Sequence, residues 1–143
     1  MRSVEVERLF HHPIEKVWAR YTDHVAWSDW AGVGPVRVVR EGSPEPYGLG
    51  SVRAFAASPG LREEVTCFEP MRRQEYRITR GVLPITDHLG VVRFAPEGAG
   101  TRVTWRVTFR ARVPGLGWAL ERGLSVLFRR MLSGLARDLD RRS

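Results

Sequence analysis

Residues 101–139 read TRVTWRVTFRARVPGLGWALERGLSVLFRRMLSGLARDL, and the spacing of their apolar side chains changes period partway along. Val103, Trp105, Val107, Phe109, Ala111 and Val113 alternate with Arg102, Thr104, Arg106, Thr108, Arg110 and Arg112. Successive side chains of a strand point to opposite faces, so this stretch predicts a strand with one apolar and one solvated face. After Pro114-Gly115, residues Leu116, Leu120, Leu124, Leu127, Phe128, Met131, Leu135 and Leu139 advance by three or four. That spacing predicts an amphipathic helix of about six turns, with arginines interleaved on its other side. The sheet's apolar face needs a cover and the helix's apolar stripe needs a partner, so the helix is expected to pack across the sheet.

Upstream, turn-forming clusters at residues 41–44, 58–60, 69–70, 81–84 and 96–100 separate strand-length stretches near 36–40, 51–57, 62–68, 73–80 and 87–95. Alternation of Val4 and Val6 with Glu5 and Glu7 adds a first strand over about 2–10. Pro13 opens a short helix carrying Ile14, Val17, Trp18 and Tyr21 at helical spacing. Asp23 is placed to cap a second short helical piece containing Val25, Trp27 and Trp30, which Gly32 and Gly34 end. The expected fold class is α+β: a seven-stranded curved antiparallel sheet, two short helices and a long C-terminal helix, enclosing a cavity. Residues 1–143 are read as one domain, since the length suits a single core and no linker or repeat divides the chain.

A hydrophobic fraction of 43% and a charged fraction of 27% describe an ordinary globular chain. The formal net charge is +7, and Lys16 is the only lysine, so arginine carries the positive balance. The arginines are dispersed instead of forming a block, which favours a solvated surface over a nucleic-acid or phosphate-binding stripe. Cys67 stands alone, which excludes an internal disulfide and thiolate-paired metal sites and fits a reducing, cytoplasmic location. No apolar run approaches the roughly 18 residues of a membrane span, and the acidic start does not suit a signal peptide.

The order strand, two short helices, six-stranded meander and long helix resembles the helix-grip arrangement. The residues resemble the polyketide cyclase/dehydrase and lipid-transport family of the START-like (SRPBCC) superfamily. The resemblance is carried by Pro13-Ile14-Glu15-Lys16-Val17-Trp18 with Thr22-Asp23 and Trp27-Ser28-Asp29-Trp30, then by Gly48-Leu49-Gly50-Ser51-Val52-Arg53. It continues through residues 63–70, Tyr76 and Gly100-Thr101-Arg102-Val103-Thr104-Trp105, and so spans nearly the whole chain. His11-His12 departs from the small residues usual before Pro13. The resemblance implies a cavity between the inner sheet face and the last helix, a shape shared by carriers and enzymes.

Candidate ligand contacts are Trp27 and Trp30 near the cavity mouth, together with Trp105, Phe109 and Trp118, all equally suited to plain core. His88 shares strand parity with Val92 and Phe94, so it is placed either to titrate inside or to bond backbone near a strand end. The resemblance implies that Arg53 can point into the cavity and pair with Glu64 or a ligand carboxylate, while a bulge at Gly50 would leave it outward and solvated. Tyr76 or Arg53 would polarise a ligand oxygen if His88 moved a proton.

The four histidines lack the spacing of a metal site, and no phosphate loop, nucleophile elbow or nucleic-acid module is present in the sequence. No cofactor or metal is expected. The expected partner is a small hydrophobic ligand such as a lipid or polyketide, bound by a carrier or turned over by a cyclase, aromatase or dehydratase. The leucine and arginine of the last helix leave room for peripheral contact with an anionic membrane. A monomer and a homodimer are both compatible with the sequence.

Overall fold

The alternating stretch forms β7 (Gly100–Ala111), which pairs antiparallel with β1 (Arg2–Phe10) on one side and β6 (Ile85–Glu97) on the other. The sheet continues through β5 (Arg73–Arg80), β4 (Arg62–Glu69) and β3 (Val52–Phe55) to β2 (Val36–Arg40) at the far edge. Its order is β1-β7-β6-β5-β4-β3-β2, so the first and last strands are neighbours and the rest is a meander. The computed structural model describes residues 1–81 and 83–143; Val82, inside the expected turn at 81–84, lies outside them. This is the helix-grip α+β arrangement that the pattern predicts. Register shifts interrupt the β2/β3, β4/β5 and β6/β7 ladders, and such extra residues bend and twist a sheet into a concave inner face.

On that face Val4, Val6, Val92, Phe94, Val103, Trp105, Val107 and Phe109 are all buried. Val113 does not join them and is 49% exposed. The strand ends at Ala111, the Arg112 N–H bonds to the Pro84 carbonyl at 2.8 Å, and the proline at 114 has no N–H with which to continue a ladder.

The first helix, α1 (Ile14–Thr22), starts where the Pro13 carbonyl accepts the Lys16 and Val17 amides, and it buries Val17, Trp18 and Tyr21. The second helical piece, His24–Asp29, is a 3-10 helix, and Asp23 makes no side-chain cap to it. The long helix α2 (Gly117–Arg142) behaves differently in its two halves. Its carboxyl half buries Met131, Leu132, Leu135 and Leu139, Phe128 is buried at the middle, and the helix packs chiefly over β1. A β-carbon at Gly134 would collide with the Trp30 carbonyl, so glycine lets this half close on the segment after the 3-10 helix. Asp138, with its side chain only 3% exposed, anchors the same end: Arg20 Nε donates to it at 2.8 Å and Arg142 Nε at 2.9 Å. The amino half touches β1 through Gly117 and Glu121 on Arg2, but its apolar stripe is not sealed. Leu120 and Leu124 are half-buried, while Trp118, Val126 and Leu127 are exposed.

Candidate functional site

Beneath the amino half of α2 the sheet is not filled by its own side chains. Two adjoining lobes, of about 230 and 130 Å³, open there. Leu61 just before β4, Glu63 and Tyr76 from the sheet, and Leu127 and Phe128 from the helix line both, forming a waist between them. The larger lobe adds Trp27, Phe55, Trp105 and Met131, and the smaller adds Ile78, Ile85, His88, Leu120 and Leu124. Together the lobes stand at the small end of ligand pockets, which run from roughly 300 to 1,000 Å³. Other grooves are larger but more open: two run along α2 among its arginines and serines, and a third, of about 350 Å³, lies between α1 and the end of α2, where Lys16, Arg20 and Arg142 rim Ala19 and Leu139.

The waist is built by strand register. Tyr76 stands directly opposite Val65 on β4 and Gly90 on β6, and its ring occupies the space a β-carbon at Gly90 would need. Trp105 Nε1 donates to the Tyr76 hydroxyl at 2.8 Å, and Trp105 in turn stacks on Phe128 with centroids 4.5 Å apart. The Tyr76 oxygen thus accepts from Trp105 while its own proton remains free to donate. Burial pushes the phenol well above the usual tyrosine range, so it stays protonated.

Arg53 faces inward and is fully buried, pairing with Glu63. The expected partner, Glu64, instead reaches Arg40 at 3.2 Å. The β3/β4 register sets Arg53 directly opposite Glu63, and alternation turns Glu64 to the other face. Arg53 Nε donates to Glu63 Oε1 at 2.9 Å. Nη2 lies 2.8 Å from the same oxygen but is not aligned for a hydrogen bond, and Nη1 has no partner among the described residues. The guanidinium carbon sits 4.5 Å from the Trp27 ring centroid and 4.8 Å from that of Tyr76, so two aromatic faces contact the cation. Burial holds the Glu63 carboxyl above the usual carboxylate range, with the Arg53 charge pulling the other way. Arg53 is absent from the lining of both lobes; it positions Glu63, which lines both.

His88 lines the smaller lobe. A one-residue shift between Thr86 and Leu89 leaves Asp87 and His88 together opposite Phe109, and Asp87 takes up φ 54° to allow it. The shift preserves His88's inward parity while bringing its Nδ1 to 3.1 Å from the Ile78 amide, which donates to it. His88 thus lines the smaller lobe while also bonding backbone near a strand end. Burial, then the charges of Arg53 and Arg77, lower its pKa to about 4. A neutral ring accepting at Nδ1 carries its proton on Nε2, so His88 is set up as a hydrogen-bond donor and not as a base.

The remaining candidates lie elsewhere. Trp30 is buried against Tyr21 and Trp27 outside the two lobes. Phe109 is fully buried core and lines neither lobe. Trp118 is 60% exposed and turns to solvent, while its neighbour Gly117 is the residue buried against Arg2 of β1. Leu61, Glu63, Leu124, Leu127 and Phe128 were not anticipated as pocket residues. For the leucines and Phe128 the helical period marked an apolar stripe, which by itself does not say which turns pack tightly and which stand off. A second polar group, His24 with Gln74 at 3.2 Å, is fully buried behind Trp27 and reaches neither lobe.

The model of a family described as polyketide cyclase / dehydrase and lipid transport matches residues 1–140. Among proteins with curated descriptions, none matches this sequence. Similar solved structures include a Thermobifida fusca protein at 23% identity and TM-score 0.82, covering 99% of this chain and 95% of that one. A Thermus thermophilus protein matches at 23% identity and TM-score 0.73, covering 99% of each chain. DynU16, a protein of the dynemicin biosynthetic locus, matches at 21% identity and TM-score 0.71 over 96% of this chain and 47% of its own. At these identities the structures establish the shared fold alone.

Proposed function

The chain belongs to the polyketide cyclase / dehydrase and lipid transport family, and we propose that it binds a small hydrophobic ligand in the two-lobed pocket under the amino half of α2. The observation that supports this most directly is the asymmetry of α2. One half is sealed on the sheet, and the other leaves apolar walls around unfilled space. Burying a ligand against Trp27, Trp105, Phe128 and the leucines would supply affinity at about 25 cal/mol per Å² of apolar surface, with a few polar groups setting orientation.

Native mass spectrometry without detergent, after incubation with a panel of two- and three-ring apolar compounds, should return one-to-one adducts. A Leu124→Trp variant, which fills the smaller lobe, should lose at least the longer members of the panel. Adducts that persist unchanged in that variant would place binding elsewhere.

A cyclase- or dehydratase-type reaction is the second reading, favoured by the convergence of Glu63, Tyr76 and His88 on one pocket. Within it Glu63 would be the base, because its carboxyl lies above the usual range and faces the lobes. Tyr76 and His88 would donate to a carbonyl or enol oxygen. Turnover of a β-keto chain by the wild type and its loss in a Glu63→Gln variant that still binds ring compounds would support catalysis.

A further inference from the structure

The pocket's polar inventory is unequal, and the inequality bears on what it selects. The Tyr76 oxygen already accepts from Trp105 and His88 Nδ1 accepts from Ile78, so each offers only a proton inward. Glu63 is different. Arg53 engages only Oε1, and Oε2 has no partner among the described residues. The Glu63 side chain keeps 13% of its surface accessible, and it lines both lobes, so that surface belongs to the pocket. Ser58, at the rim of the larger lobe, is exposed to solvent and makes no demand on a buried ligand. The unpartnered atoms of Tyr21, His24, Gln74 and Arg53 belong to residues that line neither lobe.

We propose that the pocket selects an apolar ring compound carrying a hydroxyl or comparable neutral donor, which Glu63 Oε2 accepts at the waist, and disfavours compounds whose polar end is a carboxylate. This rests on the ligand-binding reading above. An apolar compound with no donor would strip Oε2 of water and leave it unpaired, which is costly for a buried charged acceptor. A carboxylate would meet a like charge in a low-dielectric space. Arg53 does not rescue it, because its fully buried guanidinium lines neither lobe and lies behind Trp27, Tyr76 and Glu63. A hydroxyl satisfies Oε2 and can itself accept from Tyr76, using both halves of the waist.

The test compares 2-naphthol, 2-methoxynaphthalene and 2-naphthoate by isothermal titration at neutral pH. Tryptophan fluorescence serves as a second readout, since Trp27 and Trp105 line the larger lobe. The expected order has 2-naphthol about tenfold or more tighter than its methyl ether, with 2-naphthoate weakest. In the double variant Arg53→Met with Glu63→Leu, which removes the acceptor without stranding the cation, the naphthol and its ether should bind with similar affinity. Equal binding of naphthol and ether by the wild type, or a naphthol preference that survives in the double variant, overturns the selectivity while leaving the pocket as a ligand site. Failure of all three compounds to bind the wild type overturns the pocket reading and the selectivity together. If the double variant does not fold, the wild-type comparison decides by itself.

Discussion

The ring of Tyr76 lies over the bare Cα of Gly90, its directly opposed partner on the neighbouring strand. That contact seats a side chain that touches both lobes, accepts from Trp105 and flanks the Arg53 guanidinium. A methyl group at residue 90 cannot share the space, so the ring or the strand must move. Gly90→Ala is expected to destabilise the protein by about 1–3 kcal/mol, the usual cost of overpacking, read as a lower urea midpoint at unchanged slope. Its quenching by 2-naphthol should weaken as well, because the displaced ring no longer forms the waist.

Arg53 and Glu63 form a buried pair in which either partner alone is a liability. Glu63→Leu should cost about 3–5 kcal/mol by stranding the cation, whereas adding Arg53→Met should recover most of that loss. Denaturation of both single variants and the double variant measures the coupling directly; simple additivity would show that the two charges do not depend on each other.

His88 makes stability pH-dependent. Its folded pKa is lowered to about 4 from the ordinary 6.5, so between those values the unfolded chain binds the extra proton. Stability is full above about pH 6.5 and falls as the pH drops toward 4, by on the order of 3 kcal/mol from this residue. Burial lowers His24 in the same direction. Urea midpoints measured from pH 7 to pH 4 should decline, and less steeply in His88→Gln, whose side-chain oxygen can still accept the Ile78 amide. A slope identical to wild type would remove His88 from the account.

Asp138 ties the carboxyl end of α2 to α1 through Arg20. Burial favours its neutral form, but Arg20 and then Arg142 hold its pKa below the usual aspartate value. Asp138→Asn keeps the shape and removes the charge, and it is expected to cost about 2–3 kcal/mol. The fluorescence response to 2-naphthol should be little changed at temperatures where the variant is folded, because this anchor lies at the opposite end of α2 from the pocket.

The change from a two-residue to a three-to-four-residue period at Pro114-Gly115 was enough to specify β7, α2 and the apolar side of each, because side-chain direction follows directly from backbone repeat. The same logic placed His88 on the inner face, since the bulge at Asp87 lies before the stretch that shares its parity. Residue spacing could not choose between Glu63 and Glu64 for Arg53, because that choice depends on the register of a hairpin and a one-residue slip reverses every face. Nor could it show that α2 seals at Gly134 and leaves Leu120 and Leu124 half-buried, for an apolar stripe records which side of a helix faces inward and not how closely each turn approaches. Local pattern thus determined the elements and their inner faces. Register and helix approach, which arise from contacts between residues distant in the chain, decided that Glu63 meets the pocket and that a pocket is there to meet.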